Sequence, residues 1–196
     1  MTRLCFGGSF NPLHIGHLVV ARGVAEAKGY DSVVLIPSAQ PPHKPQAADL
    51  APGCHRLGMC QAVSHQDPFF KVEPIELNRT GPSYTFDTAR ELAQRGWGRV
   101  SWLIGADMLQ ILPQWHRAEE LLREVTFVIA RRPGHDIDWS ALPAAFQALR
   151  SQVVDAPLID VSATVIRRRL AAGRSIRYLV PPEVERYVSD HRLYQS

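Results

Sequence analysis

Short apolar runs rich in β-branched residues alternate with longer amphipathic stretches along most of this chain. The spacing of apolar residues favours strands in the short runs and helices in the long ones. Parallel strands need crossover connections of this length, and the connecting helices must pack on the sheet. The sequence therefore predicts an α/β fold, a Rossmann-like doubly wound parallel sheet with helices on both faces, formed by one domain over residues 1–196.

The pattern also gives bounds for each element. We expect strands at residues 4–6, 33–36, 69–75, 100–104, 126–130 and 158–161. We expect helices at residues 16–29, 55–64, 85–95, 118–123, 141–149, 162–172 and 183–190. Five prolines between residues 37 and 53 are too many for regular structure, so a long exposed loop is predicted there. Long loops in compact domains usually bind something.

Composition excludes several classes of protein. Apolar residues make up 45% and charged residues 21% of the chain, which is typical of a folded protein and not of a disordered one. The three cysteines are too few and odd in number for a disulfide framework, which favours a reducing cytoplasm. No apolar run is long enough to span a bilayer, so we expect neither a membrane segment nor export.

The densest chemical signal is the segment 7–17, GGSFNPLHIGH, between the first predicted strand and the first helix. Ligands of open α/β sheets bind at this place, outside the carboxyl end of a strand. Gly7 and Gly8 permit a close backbone approach, and His14 and His17 share one face at the start of a helix. A helix start of this kind attracts phosphate. The alternative is an ordinary tight turn with packing or capping histidines.

A second signal lies at residues 162–167, SATVIR. Ser162 or Thr164 can cap a helix, and Arg167 lies within about one turn of the same end, where its guanidinium can hold phosphate. Taken alone, the arginines at 167–169 are equally typical of a solvated helix face. Together with Arg131 and Arg132 they also match the composition of a nucleic-acid-binding module, although the net charge is only +3.

These two motifs resemble the signatures of the HxGH nucleotidyltransferase superfamily, the second one resembling its S-[ST]-T-x-x-R. Four further segments resemble the bacterial nicotinate-nucleotide adenylyltransferases in the same order, namely 41–44 (PPHK), 79–88 (RTGPSYTFDT), 104–107 (IGAD) and 115–116 (WH). The chain departs from that family's pattern in two places. Asn11 stands where the family often has Asp, and Ala163 where it often has Ser or Thr.

The resemblance implies a reaction in NAD biosynthesis. ATP and nicotinate mononucleotide (NaMN) would give nicotinate adenine dinucleotide and pyrophosphate, with His14, His17 and Arg167 as catalytic residues. It implies Mg²⁺ as cofactor, bound mainly through the ATP phosphates, without a dedicated protein ligand. Cys54 and Cys60 are read as core thiols on different helix faces, which argues against a zinc site.

The resemblance also assigns binding residues. Those carried over to ATP are Gly8, Ser9, His17, Gly105, Asp107, Ser162, Thr164 and Arg167, with the C-terminal helical part at about 162–196 completing the ATP site. Those carried over to NaMN are Lys44, Tyr84, Thr85, Trp115 and Arg131. A simpler interpretation stays open for several of them. Asp107 also suits a helix start, Trp115 also suits a core, and Lys44 and Arg131 also suit a solvated surface.

Other functions remain to be separated from this one. One alternative is a sister adenylyltransferase that prefers nicotinamide mononucleotide. Another is a pantetheine-phosphate enzyme that uses the same ATP site. A nucleic-acid-binding module is the alternative from another class. We expect ATP and NaMN as partners, with no nucleic acid and no membrane, and the sequence leaves a homo-oligomer open.

Overall fold

One parallel sheet of six strands organises the molecule, in the order β3-β2-β1-β4-β5-β6. The computed structural model describes residues 2–41, 49–134 and 136–195. The strands are β1 Arg3–Gly8, β2 Ser32–Pro37, β3 Phe70–Val72, β4 Val100–Gly105, β5 Val125–Arg131 and β6 Val153–Asp155. Every neighbouring pair is parallel, and this order is the one that defines the doubly wound fold. The predicted fold class is confirmed.

Within the described residues, seven α-helices connect and cover the strands. They are α1 Ile15–Ala27, α2 Gly53–Gln66, α3 Thr85–Leu92, α4 Ala106–Ile111, α5 Ala118–Glu124, α6 Ala163–Ala171 and α7 Pro182–Asp190. Gly29 ends the first helical connection with a φ of +72°, a left-handed conformation that glycine adopts without steric cost. None of the described helices is both long and apolar enough to cross a membrane.

Two hydrophobic cores lie on the two faces of the sheet, because neighbouring strand residues point to opposite sides. Leu4 belongs to the core that α1, α2, α6 and α7 cover, whereas Cys5 belongs to the core beneath α3, α4 and α5. Cys60 is buried as predicted, but Cys54 is exposed, so its assignment as a core thiol was wrong. It lies in the first turn of α2, away from that helix's buried residues.

The sheet opens between β1 and β4, where the connections turn to opposite faces. Cys5 of β1 pairs with Trp102 of β4, so both strands end at the same edge. Gly7 permits this close packing, since a Cβ on it would lie 2.7 Å from Cζ2 of Trp102. The carboxyl ends of β1 and β4 therefore frame the crevice in which this class of fold binds ligands.

Three parts of the sequence-based assignment were wrong. The last strand is Val153–Asp155 and not residues 158–161. Ala156 donates the final backbone hydrogen bond to the Arg131 carbonyl, and Pro157 has no N–H with which to continue the ladder. The segment predicted as a helix at 141–149 consists of short 3₁₀ turns, and α4 was missed because its six residues are too few to show periodicity.

Candidate active site

A cavity of about 510 Å³ lies at the opening between β1 and β4. Its walls come from the ends of both strands, from the segments after β2 and before α3, and from residues in and around α4 and α5. Six of the residues assigned from the sequence line it, namely Gly8, Ser9, Tyr84, Thr85, Gly105 and Trp115. Motifs about 100 residues apart in sequence are thus brought together, as the folding of parallel strands to one edge predicts.

One end of the cavity is aromatic. Tyr84 precedes the first residue of α3, and its ring stacks on His116 with centroids 4.4 Å apart. Trp115 is half-buried and packs edge-on against Phe127 at 6.5 Å, so it contributes both to the core and to the cavity wall. The two sequence-based interpretations of Trp115 are therefore compatible. A flat ring would find apolar surface here.

The histidine pair lies just beyond Ser9, at the start of α1. His17 accepts a hydrogen bond from the His14 backbone N–H at 3.3 Å, and the two rings stack with centroids 3.7 Å apart. Phe10 packs edge-on against His17 at 5.3 Å and has a φ of +45°, a conformation that is uncommon for a bulky residue. The turn before α1 thus fixes the orientation of the His17 ring.

Burial determines the charge state of His14. It is only 6% exposed, and burial lowers the pKa of His14 to about 4. At neutral pH the His14 imidazole is therefore uncharged. The sequence suggested two imidazoles adding to the positive potential of a helix start, but the buried His14 does not add a full charge.

Arg167 reaches the same loop from α6. Its Nε lies 2.8 Å from Oδ2 of Asp49, its Nη2 contacts the same oxygen, and its Nη1 donates to the Asn11 carbonyl at 2.8 Å. Thr164 Oγ1 lies 3.5 Å from Nη2. Ser162 caps α6, its hydroxyl accepting from the Val165 N–H at 3.3 Å, as the motif predicted.

Asn11 explains one departure from the family pattern. Its amide nitrogen donates to the Asp49 carbonyl at 2.9 Å, which a carboxylate could not do. Its Oδ1 accepts from the Ala51 N–H at 3.0 Å and from the Tyr194 hydroxyl at 2.7 Å. Burial raises the pKa of Tyr194, so this hydroxyl remains a donor. Asn11 therefore connects the loop after β1 with the C-terminal segment.

Two of the assigned residues lie apart from these groups, and one is outside the residues that the structure describes. Arg131 at the end of β5 donates from Nε to Asp155 at 2.8 Å, within the β5–β6 pair. Asp107 is exposed in the first turn of α4, next to Gly105 at the cavity edge. Lys44 lies outside the residues that the structure describes.

Sequence reasoning missed three buried polar residues beside the cavity. Arg56 is 1% exposed, Glu76 is 4% exposed, and Ser83 is 7% exposed. Burial raises the pKa of Glu76, whose carboxylate accepts a hydrogen bond from the Thr88 hydroxyl at 2.7 Å. A signal existed for Arg56. Its helix buries it with Met59, Cys60 and Val63, on one apolar stripe that the sequence spacing already shows.

Comparison with known proteins identifies the class first. The Cytidylyltransferase-like family matches residues 5–169, which contain both the Gly7–His17 loop and the α6 motif. A solved structure titled Plasmodium falciparum nicotinic acid mononucleotide adenylyltransferase complexed with NaAD superposes with a TM-score of 0.76, covering 99% of this chain and 98% of that one. At 17% identity this likeness establishes a shared fold. Fold and site together define an α/β nucleotidyltransferase.

Closer relatives specify the family. The nicotinate-nucleotide adenylyltransferase of Bacillus subtilis (strain 168) is 38% identical over 192 residues, 97% of each chain. A protein of Salinibacter ruber (strain DSM 13855 / M31), named probable nicotinate-nucleotide adenylyltransferase, is 42% identical over 196 residues, covering 100% of this chain and 98% of its own. This chain belongs to the nicotinate-nucleotide adenylyltransferase family.

Proposed function

We propose that this protein transfers the adenylyl group of ATP to NaMN in NAD biosynthesis, giving nicotinate adenine dinucleotide and pyrophosphate. One observation carries the proposal. A single cavity joins an aromatic end, at Tyr84 and Trp115, to Gly8 and Ser9 at the base of the histidine loop. A molecule with a flat ring at one end and a phosphate at the other suits this arrangement. NaMN has that shape.

The aromatic end would bind the nicotinate ring. Trp115 would offer a flat surface for the pyridine ring, and the N–H groups at the start of α3, at Thr85 and beyond, would bind its carboxylate. A carboxylate accepts from such N–H groups, whereas a carboxamide brings donors of its own. This difference favours the acid over the amide. Lys44 and Arg131 would complete the mononucleotide site, with Arg131 leaving Asp155 to do so.

The other end would bind ATP. Gly105 and Asp107 would hold the adenosine ribose, since a carboxylate accepts from two neighbouring hydroxyls. His17 with the loop at Gly8 and Ser9, and Arg167 with Ser162 and Thr164, would surround the phosphates. We infer that residues 1–196 work as one nucleotidyltransferase domain whose C-terminal part, about 162–196, completes this ATP site.

The chemistry needs positioning more than a base. A phosphate monoester has its second pKa near 6, so the NaMN phosphate is largely dianionic at neutral pH. One of its oxygens attacks the α-phosphorus of ATP and forms a new P–O bond. The bond between the α-phosphorus and the α,β-bridging oxygen breaks, and its electron pair leaves with pyrophosphate. His14, His17 and Arg167 are assigned to stabilise the charge that builds on the phosphoryl oxygens and on the departing pyrophosphate.

Mg²⁺ belongs to this proposal as part of the ATP complex. Among the described residues no three His, Cys, Asp or Glu side chains are grouped so that they could hold a metal ion. The ion would neutralise phosphate charge and be held mainly by the phosphates and water. We place the enzyme in the cytoplasm, because its three cysteines are free in the structure and suit a reducing compartment.

The test is pyrophosphate release from ATP and Mg²⁺, with NaMN, nicotinamide mononucleotide or phosphopantetheine offered separately at matched concentrations. We expect strong preference for NaMN. Equal use of the amide would keep the chemistry and refute the acid-selective role of Tyr84 and Thr85. Release with phosphopantetheine alone, or with none of the three, would refute the proposed function.

The nucleic-acid alternative has less support from the structure. Arg167 is paired with Asp49, and Arg169 donates to the Ser175 carbonyl at 2.8 Å. Two of the three clustered arginines are thus engaged within the chain. Binding of RNA or DNA that weakens steeply with salt, without ATP-dependent pyrophosphate release, would favour that alternative instead.

A further inference from the structure

Arg56 of α2 is a buried cation beside the active site. Its side chain is among the largest in the protein that are fully buried, and burial lowers the pKa of Arg56. An arginine still keeps its charge under such conditions. Within the described parts of the chain no ion pair is found for Arg56. Its charge must therefore be stabilised by other groups.

Those groups are main-chain carbonyls from three separate segments. Nε donates to the Ala51 carbonyl at 2.8 Å, Nη1 donates to the carbonyls of Ser9 at 3.0 Å and Ser38 at 2.5 Å, and Nη2 donates to the Ala39 carbonyl at 3.3 Å. Ser9 belongs to the loop after β1, and Ser38 and Ala39 follow β2. One rigid, planar group thus fixes the mutual distances of these segments.

Ser83 holds the segment after β2 from its other side. Its hydroxyl accepts from the N–H groups of Ala39 at 2.9 Å and Gln40 at 3.2 Å, and its own N–H donates to the Gln40 carbonyl at 2.9 Å. Ser83 directly precedes Tyr84, at the aromatic end of the cavity. A continuous set of buried and part-buried hydrogen bonds therefore runs from the loop after β1 to the start of α3.

We propose that Arg56 is a positioning residue of the transfer reaction, which, with Ser83, fixes the phosphate-binding loop relative to the nicotinate-binding end. Arg56 is not among the residues that line the cavity, whereas Ser9, Ser38 and Ser83 are. It acts through those residues and touches neither substrate. This inference rests on the proposed function, since it concerns the alignment of the NaMN phosphate with the α-phosphorus of ATP.

Alignment is where a small displacement has a large effect. An in-line displacement requires the attacking oxygen and the phosphorus at near-contact distance, and a shift of about 1 Å can lower the rate by about 100-fold. Arg56→Met keeps the apolar volume and removes all four donated hydrogen bonds. Arg56→Lys keeps the charge but offers one nitrogen instead of a fork, so it can restore only part of the geometry.

The experiment measures kcat and both KM values for the wild type, Arg56→Met and Arg56→Lys, with thermal unfolding of each protein. We expect kcat at saturating substrates to fall about 100-fold in Arg56→Met and about tenfold in Arg56→Lys. The matched control is Arg99→Met. Arg99 also donates to two carbonyls, those of Leu122 and Val125, but at the opposite end of the sheet. The kcat of Arg99→Met should stay within about twofold of wild type, because the change does not displace the reacting groups.

A purely structural role would lower the melting temperature and leave the kcat of the folded fraction unchanged. Wild-type kcat in either folded Arg56 variant would overturn the proposal. If neither variant folds, Ser83→Ala decides, because it removes the other side of the same arrangement with the loss of one hydroxyl. A folded Ser83→Ala with about tenfold lower kcat supports the proposal, and one with wild-type kcat overturns it. An inactive wild type would instead refute the proposed function.

Discussion

The two ends of the candidate site are built in opposite ways. The aromatic end, around Tyr84 and Trp115, is a formed cavity with its rings already packed against His116 and Phe127. At the phosphate end the main cation, Arg167, is paired with Asp49. A flat ring is recognised by the shape of a cavity, and the fold can form that cavity in advance. Phosphate is recognised by hydrogen-bond donors, and such donors in a protein are paired with acceptors of the same chain.

The difference suggests what each end requires for binding. At the aromatic end a ring displaces water from apolar surface, with little change in the protein. At the proposed phosphate end, the ATP phosphates would have to replace the Asp49 carboxylate, which contacts Arg167 through Nε and Nη2. Variants at the two ends should therefore change different kinetic constants, and four predictions follow from the largest effect to the smallest.

His17→Ala should have the largest effect. It removes an imidazole that contacts His14 and Phe10, at the loop where the proposed mechanism has charge build up during transfer. We expect kcat to fall by about 100-fold or more while the protein stays folded, as for the loss of a donor aimed at a developing charge. The exposed His65 on α2 provides the control, since His65→Ala should stay within about twofold of wild type. A folded His17→Ala with wild-type kcat would contradict the assignment, and an unfolded one would show a structural histidine.

His14 should make folding stability depend on pH. Its pKa is about 4 in the folded protein against an ordinary 6.5, so the unfolded chain binds the proton more readily between these values. Stability is therefore highest above pH 6.5 and falls as the pH drops towards 4. Between pH 6.5 and 5 the loss should be about 1.5 kcal/mol, from the cited shift.

Urea unfolding at pH 5.0, 5.75 and 6.5 measures this dependence. His14→Gln should be less stable at pH 6.5 but should show a smaller change over the same interval, because glutamine does not titrate. An equal change in both proteins would mean that other groups cause it. This prediction sharpens the comparison, since the neutral His14 is part of a phosphate end whose positive charge comes from Arg167 and the helix starts.

Local patterns made much of this site predictable. The loop at 7–17, the α6 motif and Tyr84 with Thr85 each stand directly beside a strand end or a helix start, and the strands carry them to one edge of the sheet. Long-range pairs could not be predicted. Arg167 meets Asp49 across 118 residues of sequence, and nothing local distinguishes Asp49 from a solvated acid.

The errors have equally physical causes. Residues 158–161 contain enough β-branched residues to predict a strand, but Pro157 ends the hydrogen-bond ladder with β5 before them. Arg56 lies on a stripe whose other members are apolar, but burial of an arginine is not expected from sequence because this residue is seldom buried. Its four carbonyl acceptors come from segments far apart in sequence. Only the folded chain shows that they meet.

Trp115→Ala tests the aromatic end. Loss of the indole should raise the KM for NaMN by about tenfold, which corresponds to about 1.4 kcal/mol of ring stacking, and should change kcat much less. Trp115→Phe should restore most of the affinity. Trp139→Ala is the control, because Trp139 lies under Arg150 and does not line the cavity. An equal loss of kcat and of NaMN affinity in Trp115→Ala would show that the two ends are not separable.

Asp49→Asn tests the phosphate end and should have the smallest effect. The change keeps the shape of the side chain and the main-chain carbonyl that accepts from Asn11. It removes the negative charge that competes with phosphate for Arg167. We expect the KM for ATP to fall about two- to fivefold and the free energy of unfolding to fall by less than about 1 kcal/mol, as for a partly exposed ion pair.

The matched control is Asp67→Asn, which removes a half-exposed Arg–Asp pair between Arg22 and Asp67, away from the cavity. It should cost similar stability and leave the KM for ATP unchanged. A higher KM for ATP in Asp49→Asn would mean that Asp49 orients Arg167 for the phosphates instead of competing with them. The aromatic end and the phosphate end would then differ only in shape, because both would be formed before the substrates bind.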